Sequence, residues 1–185
     1  ELLDTGIFED DRYFDVQVEY AKNSPDDLLA LVTVFNRGPE SARVHVLPTL
    51  WFRNTWSWGG NGPRPSMRGA DLDGTLVEVR EPEYGTRWFA CDNPRQLLFT
   101  ENETNNRRLF ASPNAGPYVK DGINDFIVHG ALDAINPDQV GTRVSAHYPL
   151  EIPAGGSVSL RLRLSDVRPV GVGTDFDRVF ATRRQ

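Results

Sequence analysis

The sequence predicts an all-β fold, an antiparallel β-sandwich with one or two short helices. Three observations carry this expectation. Apolar and polar residues alternate along several short segments. Those segments recur at close spacing, separated by Gly, Pro, Asn and Asp. Helical spacing is confined to residues 118–130 and a stretch beginning near Thr174. A chain of 185 residues, 39% of them hydrophobic, can bury a core without a disulfide or metal. Its single cysteine, Cys91, offers neither a disulfide framework nor the spacing of a zinc site.

Taken in order, residues 13–20 place Phe14, Val16, Val18 and Tyr20 on one face and Asp15, Gln17 and Glu19 on the other, a half-buried strand. After a turn at residues 23–27, residues 28–35 are apolar on both faces and predict a covered central strand. A third run, residues 42–52, contains Pro48, which belongs at a bulge or an edge because proline has no N–H for a ladder. Residues 53–71, with Gly59, Gly60, Gly62, Pro63 and Pro65, read as a long loop. Strands follow at residues 75–80, 86–91 and 96–100, and residues 118–130 fit a short helix or helical turn. The clearest hairpin pattern joins alternating residues 142–150 and 158–164 through Pro153-Ala154-Gly155-Gly156, with Ser157, Ser159, Arg161, Arg163 and Ser165 facing water. Thr174, followed three residues later by Asp177, predicts the start of a last helix.

Charge narrows the partners. Twenty basic against 26 acidic residues give a net charge of −6 and a pI near 5.1. No basic block exceeds a pair, so nucleic acid is not an expected partner. No apolar run approaches the roughly 20 residues of a membrane span, and the first eleven residues lack the pattern of a signal peptide. The expectation is a soluble, cytoplasmic protein with no membrane partner. The sole methionine is Met67 and the chain starts at Glu1, which predicts a piece of a longer polypeptide. On that reading a sandwich domain spans residues 1–172 and residues 173–185 begin a linker helix toward a C-terminal domain. The alternative is a removed leader and a fraying tail.

No catalytic residue, metal or cofactor is expected. Glu9-Asp10-Asp11 are adjacent, whereas glycosidase acids must face each other across about 5–10 Å. Asp71-Leu72-Asp73-Gly74 lacks the glutamate of a calcium loop, since the twelfth position falls on Pro82. His45 and His147 lie within strand patterns, where packing or cross-strand hydrogen bonding is their expected role, and His129 has no nucleophile-type neighbour. Asn102-Glu103-Thr104 matches a glycosylation acceptor, a pattern that chance often supplies.

Three of the four tryptophans fall within residues 51–58, in a run that also holds Arg53 and Asn54. Indoles stack on sugar faces while Arg and Asn bond hydroxyls, so Arg53, Asn54, Trp56 and Trp58 are candidates for oligosaccharide contact. Alternatively Trp56 and Trp58 pack against a neighbouring domain, and Trp51 and Phe52 end a strand in the core. Residues 112–130, punctuated by Gly116, Gly122 and Gly130, supply the further candidates Tyr118, Lys120, Asp121 and Asn124 for a site or an interface.

Residues 1–58, above all LPTLWFRNTWSW at 47–58, together with YVKDGINDFIVHG at 118–130, resemble the N-terminal region of large bacterial glucosidases. These are similar to glycoside hydrolase family 63, the processing α-glucosidases. The resemblance implies a supersandwich domain, related in shape to galactose mutarotase, that precedes an (α/α)6 barrel. It also implies that both carboxylates of an inverting mechanism lie beyond Gln185, in that barrel. This chain would then support the barrel and lend a loop to the rim of its sugar pocket. A self-standing carbohydrate-binding module is the alternative.

Overall fold

The computed structural model describes residues 2–6, 9–57 and 64–184. In chain order its strands are β1 (Phe14–Ser24), β2 (Asp27–Asn36), β3 (Ala42–Val46), β4 (Thr49–Trp51), β5 (Ser66–Gly69), β6 (Leu76–Glu81), β7 (Gly85–Cys91), β8 (Gln96–Thr100), β9 (Val140–Gly141), β10 (Arg143–Ile152) and β11 (Ser157–Ser165). Three short helices accompany them, α1 (Asn106–Phe110), α2 (Gly122–His129) and α3 (Phe176–Arg183). All pairings are antiparallel. One sheet runs β1-β2-β11-β7-β6-β5-β9, and the other is built on β10, with β3 and β4 along one side and β8 along the other. The expected antiparallel sandwich is therefore present.

The core lies between the sheets. Val32 and Val34 of β2, Val77 and Val79 of β6, Phe99 of β8 and Val144 of β10 are all buried in one cluster. Their alternation produces this, because every second side chain of each strand points between the layers. On the far face of the large sheet, Phe176, Val179 and Phe180 of α3 cover Ala21 and Leu29. The helix thus forms where expected and docks on β1 and β2. Its N-cap is Asp175 rather than Thr174, and the Asp175 carboxylate is turned to Arg163, at 2.8 Å.

Four local readings change. The alternating segments 142–150 and 158–164 are strands, but they do not form a hairpin. β10 belongs to the small sheet and β11 pairs with β2 and β7, so residues 153–156 carry the chain from one layer to the other. The buried Asn36 side chain holds that corner by donating to the carbonyls of Ile152 (2.8 Å) and Glu40 (2.7 Å). The water-facing row of β11 is also covered at one end, where Arg163 and Ser165 are buried.

The loop expected over residues 53–71 contains β5, whose Met67 is fully buried between β6 and β9. Pro48 lies on the edge of the small sheet, between β3 and β4. The partners of β3 and β4 on β10 keep one register across residues 47 and 48, so there is no bulge. The Pro48 carbonyl accepts from Ala146 N–H at 3.0 Å but returns no N–H, and the ladder breaks there. Finally, the face of β1 expected to be covered is open: Val16, Val18 and Tyr20 are 58%, 45% and 67% exposed.

Candidate functional site

The two stretches singled out by composition meet on one short segment. β8 ends at Thr100, and residues 101–105 continue from it as an irregular segment. On one side Asn102 Nδ2 donates to Phe52 O at 2.8 Å, and Asn54 Nδ2 donates to Asn102 O at 2.9 Å. On the other side Glu101 N–H donates to Tyr118 O at 2.9 Å, and Lys120 N–H to Glu103 O at 3.0 Å. Arg53, Asn54 and Trp56 are thereby brought beside Tyr118, Lys120 and Asp121. Trp58 lies outside the described residues.

Glu103 is the anchor. Its carboxylate accepts from Trp56 Nε1 at 2.6 Å, Ser57 Oγ at 2.5 Å and Asn54 Nδ2 at 3.0 Å. Burial alone would raise its pKa, but these donors and the nearby Arg64 guanidinium hold it below the ordinary value. In the sequence Glu103 stands out only as the middle residue of the glycosylation pattern Asn102-Glu103-Thr104. Nothing local marks it, because its partner Trp56 lies 47 residues earlier. Asn102, the acceptor of that pattern, spends its amide on the Phe52 carbonyl.

The remaining candidates divide between framework and surface. Asn54 is committed internally, its Nδ2 to three acceptors and its Oδ1 to Ser57 N–H. Asp121 accepts from Arg108 at 2.6 Å and from Asn105 at 3.1 Å, just before α2. Arg108 also holds Asp125, whose pKa is lowered chiefly by that hydrogen bond. Arg53, Lys120 and Asn124 are exposed, and Lys120 Nζ donates to Thr104 Oγ1 at 3.4 Å. Arg143, another residue unmarked in the sequence, is half-buried beneath this surface and donates to Lys120 O at 3.1 Å. Its Nε has no partner among the described residues, and burial pulls its pKa down.

Trp51 faces outward and is 55% exposed, while Phe52 packs against the core, so only the second of these aromatics ends the strand in the interior. His45 Nδ1 and His147 Nε2 lie 2.8 Å apart, and Phe126 of α2 sets its ring edge-on to His147. This is the cross-strand hydrogen bonding expected of those histidines. Among the described residues no group of three or more His, Cys, Asp or Glu is placed to hold a metal ion.

Chemically, this surface offers a fixed indole, exposed cations and amides, and carboxylates that are bound to donors. Neither Glu103 nor Asp125 is shifted toward the protonated form that a general acid needs near neutrality. Glu103→Gln is expected to lower stability by roughly 1–2 kcal/mol, because a neutral amide cannot accept from all three donors. It should also make Trp56 fluorescence more accessible to acrylamide. The depressed carboxyl adds stability that is complete above about pH 5 and is lost as pH falls through its folded value. The difference between wild type and variant in urea unfolding should therefore shrink in acid.

No protein-family model matches the chain. It is similar to the uncharacterized protein YMR196W of Saccharomyces cerevisiae, 30% identical over an alignment 185 positions long that covers 85% of this chain and 17% of that protein. The chain thus spans about a sixth of the length of the curated relative it matches.

Proposed function

We propose that the chain is the noncatalytic N-terminal β-sandwich domain, of the supersandwich type, of a longer glycoside hydrolase resembling family 63. It supports an (α/α)6 catalytic barrel, and the surface around Trp56 and Lys120 faces that barrel and the rim of its sugar pocket. One observation carries this reading. The aromatic and polar loops converge on residues 101–105, yet the carboxylates of Glu103 and, on α2, Asp125 are taken up by internal donors. That suits a surface that packs or positions while the reacting carboxylates lie elsewhere. The relative's much greater length supports the same reading, because it leaves room for a catalytic domain in a polypeptide of this kind.

The test compares this chain with the longer natural polypeptide on α-glucosidic oligosaccharides. The longer polypeptide is expected to hydrolyse them with inversion, and the 185-residue chain to release no glucose. Turnover by the chain alone, abolished by substituting one of its own carboxylates, would overturn the proposal. The exposed indole of Trp51, five residues before the fixed Trp56, supports a second reading, a carbohydrate-binding module. Saturable oligosaccharide binding by the chain, lost on Trp56→Ala, would select that reading.

A further inference from the structure

The two layers of the sandwich are unequal, seven strands against a small sheet only three strands wide. Beyond β3 and β4 no described residue covers the inner face of the large sheet. An apolar trough of about 410 Å³ opens there, walled by residues 46–50 and floored by Val18, Tyr20, Leu28, Ala30 and Leu164. A second cavity of about 280 Å³, sharing Leu28, Leu50 and Leu164, extends it past Phe52 to Tyr84.

The wall of the trough is an open strand edge. Ala146 N–H bonds Pro48 O, so residues 42, 44, 46, 48 and 50 direct their backbone groups toward β10. Arg43, His45, Leu47, Thr49 and Trp51 direct theirs outward. Among the described residues none of these five N–H groups has a hydrogen-bond acceptor, and only the Leu47 carbonyl is occupied, by the Thr49 hydroxyl at 2.8 Å. Single bonds reach the other edges. Arg183 Nε bonds Lys22 O at the edge of β1, and Asn136 N–H bonds Phe99 O at the edge of β8. A bare edge beside a bare apolar face is the arrangement to which an extended segment adds as a strand.

The β1 sequence adds an independent argument. Val16, Val18 and Tyr20 alternate with Asp15, Gln17 and Glu19 as in a strand covered on one face, yet that face is open. Strands pair about 4.8 Å apart and sheets stack about 10 Å apart, so a strand added beside β3 and β4 would lie over Val18 and Tyr20.

We infer that β3 and β4 accept a further antiparallel or parallel strand, an extended segment with apolar residues at alternate positions, supplied by the remainder of a longer polypeptide. The length of the relative supplies the argument for this source, since five-sixths of that protein lies outside the matched region. The inference rests on the proposal that the chain is part of a larger protein, but not on hydrolase activity.

Residue-resolved hydrogen exchange on this chain and on the longer natural polypeptide tests it. The amides of Arg43, His45, Leu47, Thr49 and Trp51 should exchange rapidly in the chain and at least 100-fold more slowly in the longer polypeptide. Those of Val44, Val46 and Leu50 should be protected in both. Val18→Asp should leave the unfolding midpoint of the isolated chain unchanged and abolish the extra protection in the longer polypeptide. Equal exchange of the five amides in the two proteins would overturn the inference. Protection in the isolated chain that rises with its concentration would also overturn it, by identifying a second copy as the occupant. Slow exchange in a longer polypeptide without glucosidase activity would uphold the inference while removing the functional reading.

Discussion

Replacing Arg163 with methionine is expected to lower the stability of the chain by about 3–5 kcal/mol, a large part of the total for a domain of this size. Arg163 lies on β11 beneath α3 and is only 9% exposed. Its Nε and Nη2 donate to the two oxygens of Asp27 at 2.8 and 2.5 Å, and its Nη1 donates to Asp175 at 2.8 Å and to Val172 O at 3.2 Å. One guanidinium therefore joins β2, β11 and the entry to α3. Methionine fills similar space but leaves Asp27 buried with only Asn23 as a side-chain donor. The cost comes from that stranded carboxylate more than from the lost attraction.

The pH dependence separates this account from simple loss of packing. In the wild type, burial opposes ionisation of Asp27, but the hydrogen bonds from Arg163 and Asn23 prevail and its pKa is lowered. That contribution is complete above about pH 4 and is lost as pH falls through the depressed value. In the variant burial prevails, the carboxyl is raised, and stability falls as pH rises through that value. The gap between the two proteins should thus be widest near pH 7 and narrow toward pH 4 in urea unfolding. A variant as stable as wild type at pH 7, or a gap independent of pH, would refute the assignment. Arg163→Lys should recover part of the loss, since an ammonium keeps the charge but not the two-pronged geometry.

What could be read in the sequence follows the range of the forces involved. β2, β6, β7 and β8 were legible because alternation and turn residues act locally. β5 and β9 were not, since one contributes a single buried apolar residue, Met67, and the other is two residues long. The alternation of β10 and β11 identified two strands but not their pairing. The same pattern serves a hairpin or a crossing between layers, and Asn36, 116 residues from Ile152, decides it. The candidate surface was legible in the same partial way. The tryptophan-rich run and the glycine-punctuated loop stand out in composition, whereas Glu103 and Arg143, which join and underlie them, acquire their roles only through contacts distant in sequence. For β1 the pattern points to a cover that the other described residues do not provide, and the open edge of β3 and β4 lies beside that bare face.

Phe99→Ala is expected to cost about 3–5 kcal/mol, toward the upper end of that range. Phe99 is fully buried between the sheets, and truncation to alanine leaves a void whose cost depends on how far its walls can relax. Here the backbone around it is pinned. The Phe99 carbonyl accepts from Asn136 N–H at 3.0 Å, and the next carbonyl, that of Thr100, accepts from Thr142 N–H at 3.2 Å. Gly141 approaches that same carbonyl so closely that a Cβ there would lie 2.3 Å from the oxygen. A strand held on that side cannot move in to fill the space. Phe110→Ala, at a position 68% exposed, is the control and should change stability by no more than about 0.5 kcal/mol. Residues 101–105 continue directly from β8, so the surface around Trp56 should unfold with the core. Trp56 fluorescence and far-ultraviolet circular dichroism of the Phe99 variant are expected to share one midpoint in urea. Loss of the Trp56 signal at a lower midpoint would instead make that surface a separate cooperative unit, held by Glu103 rather than by the sandwich beneath it.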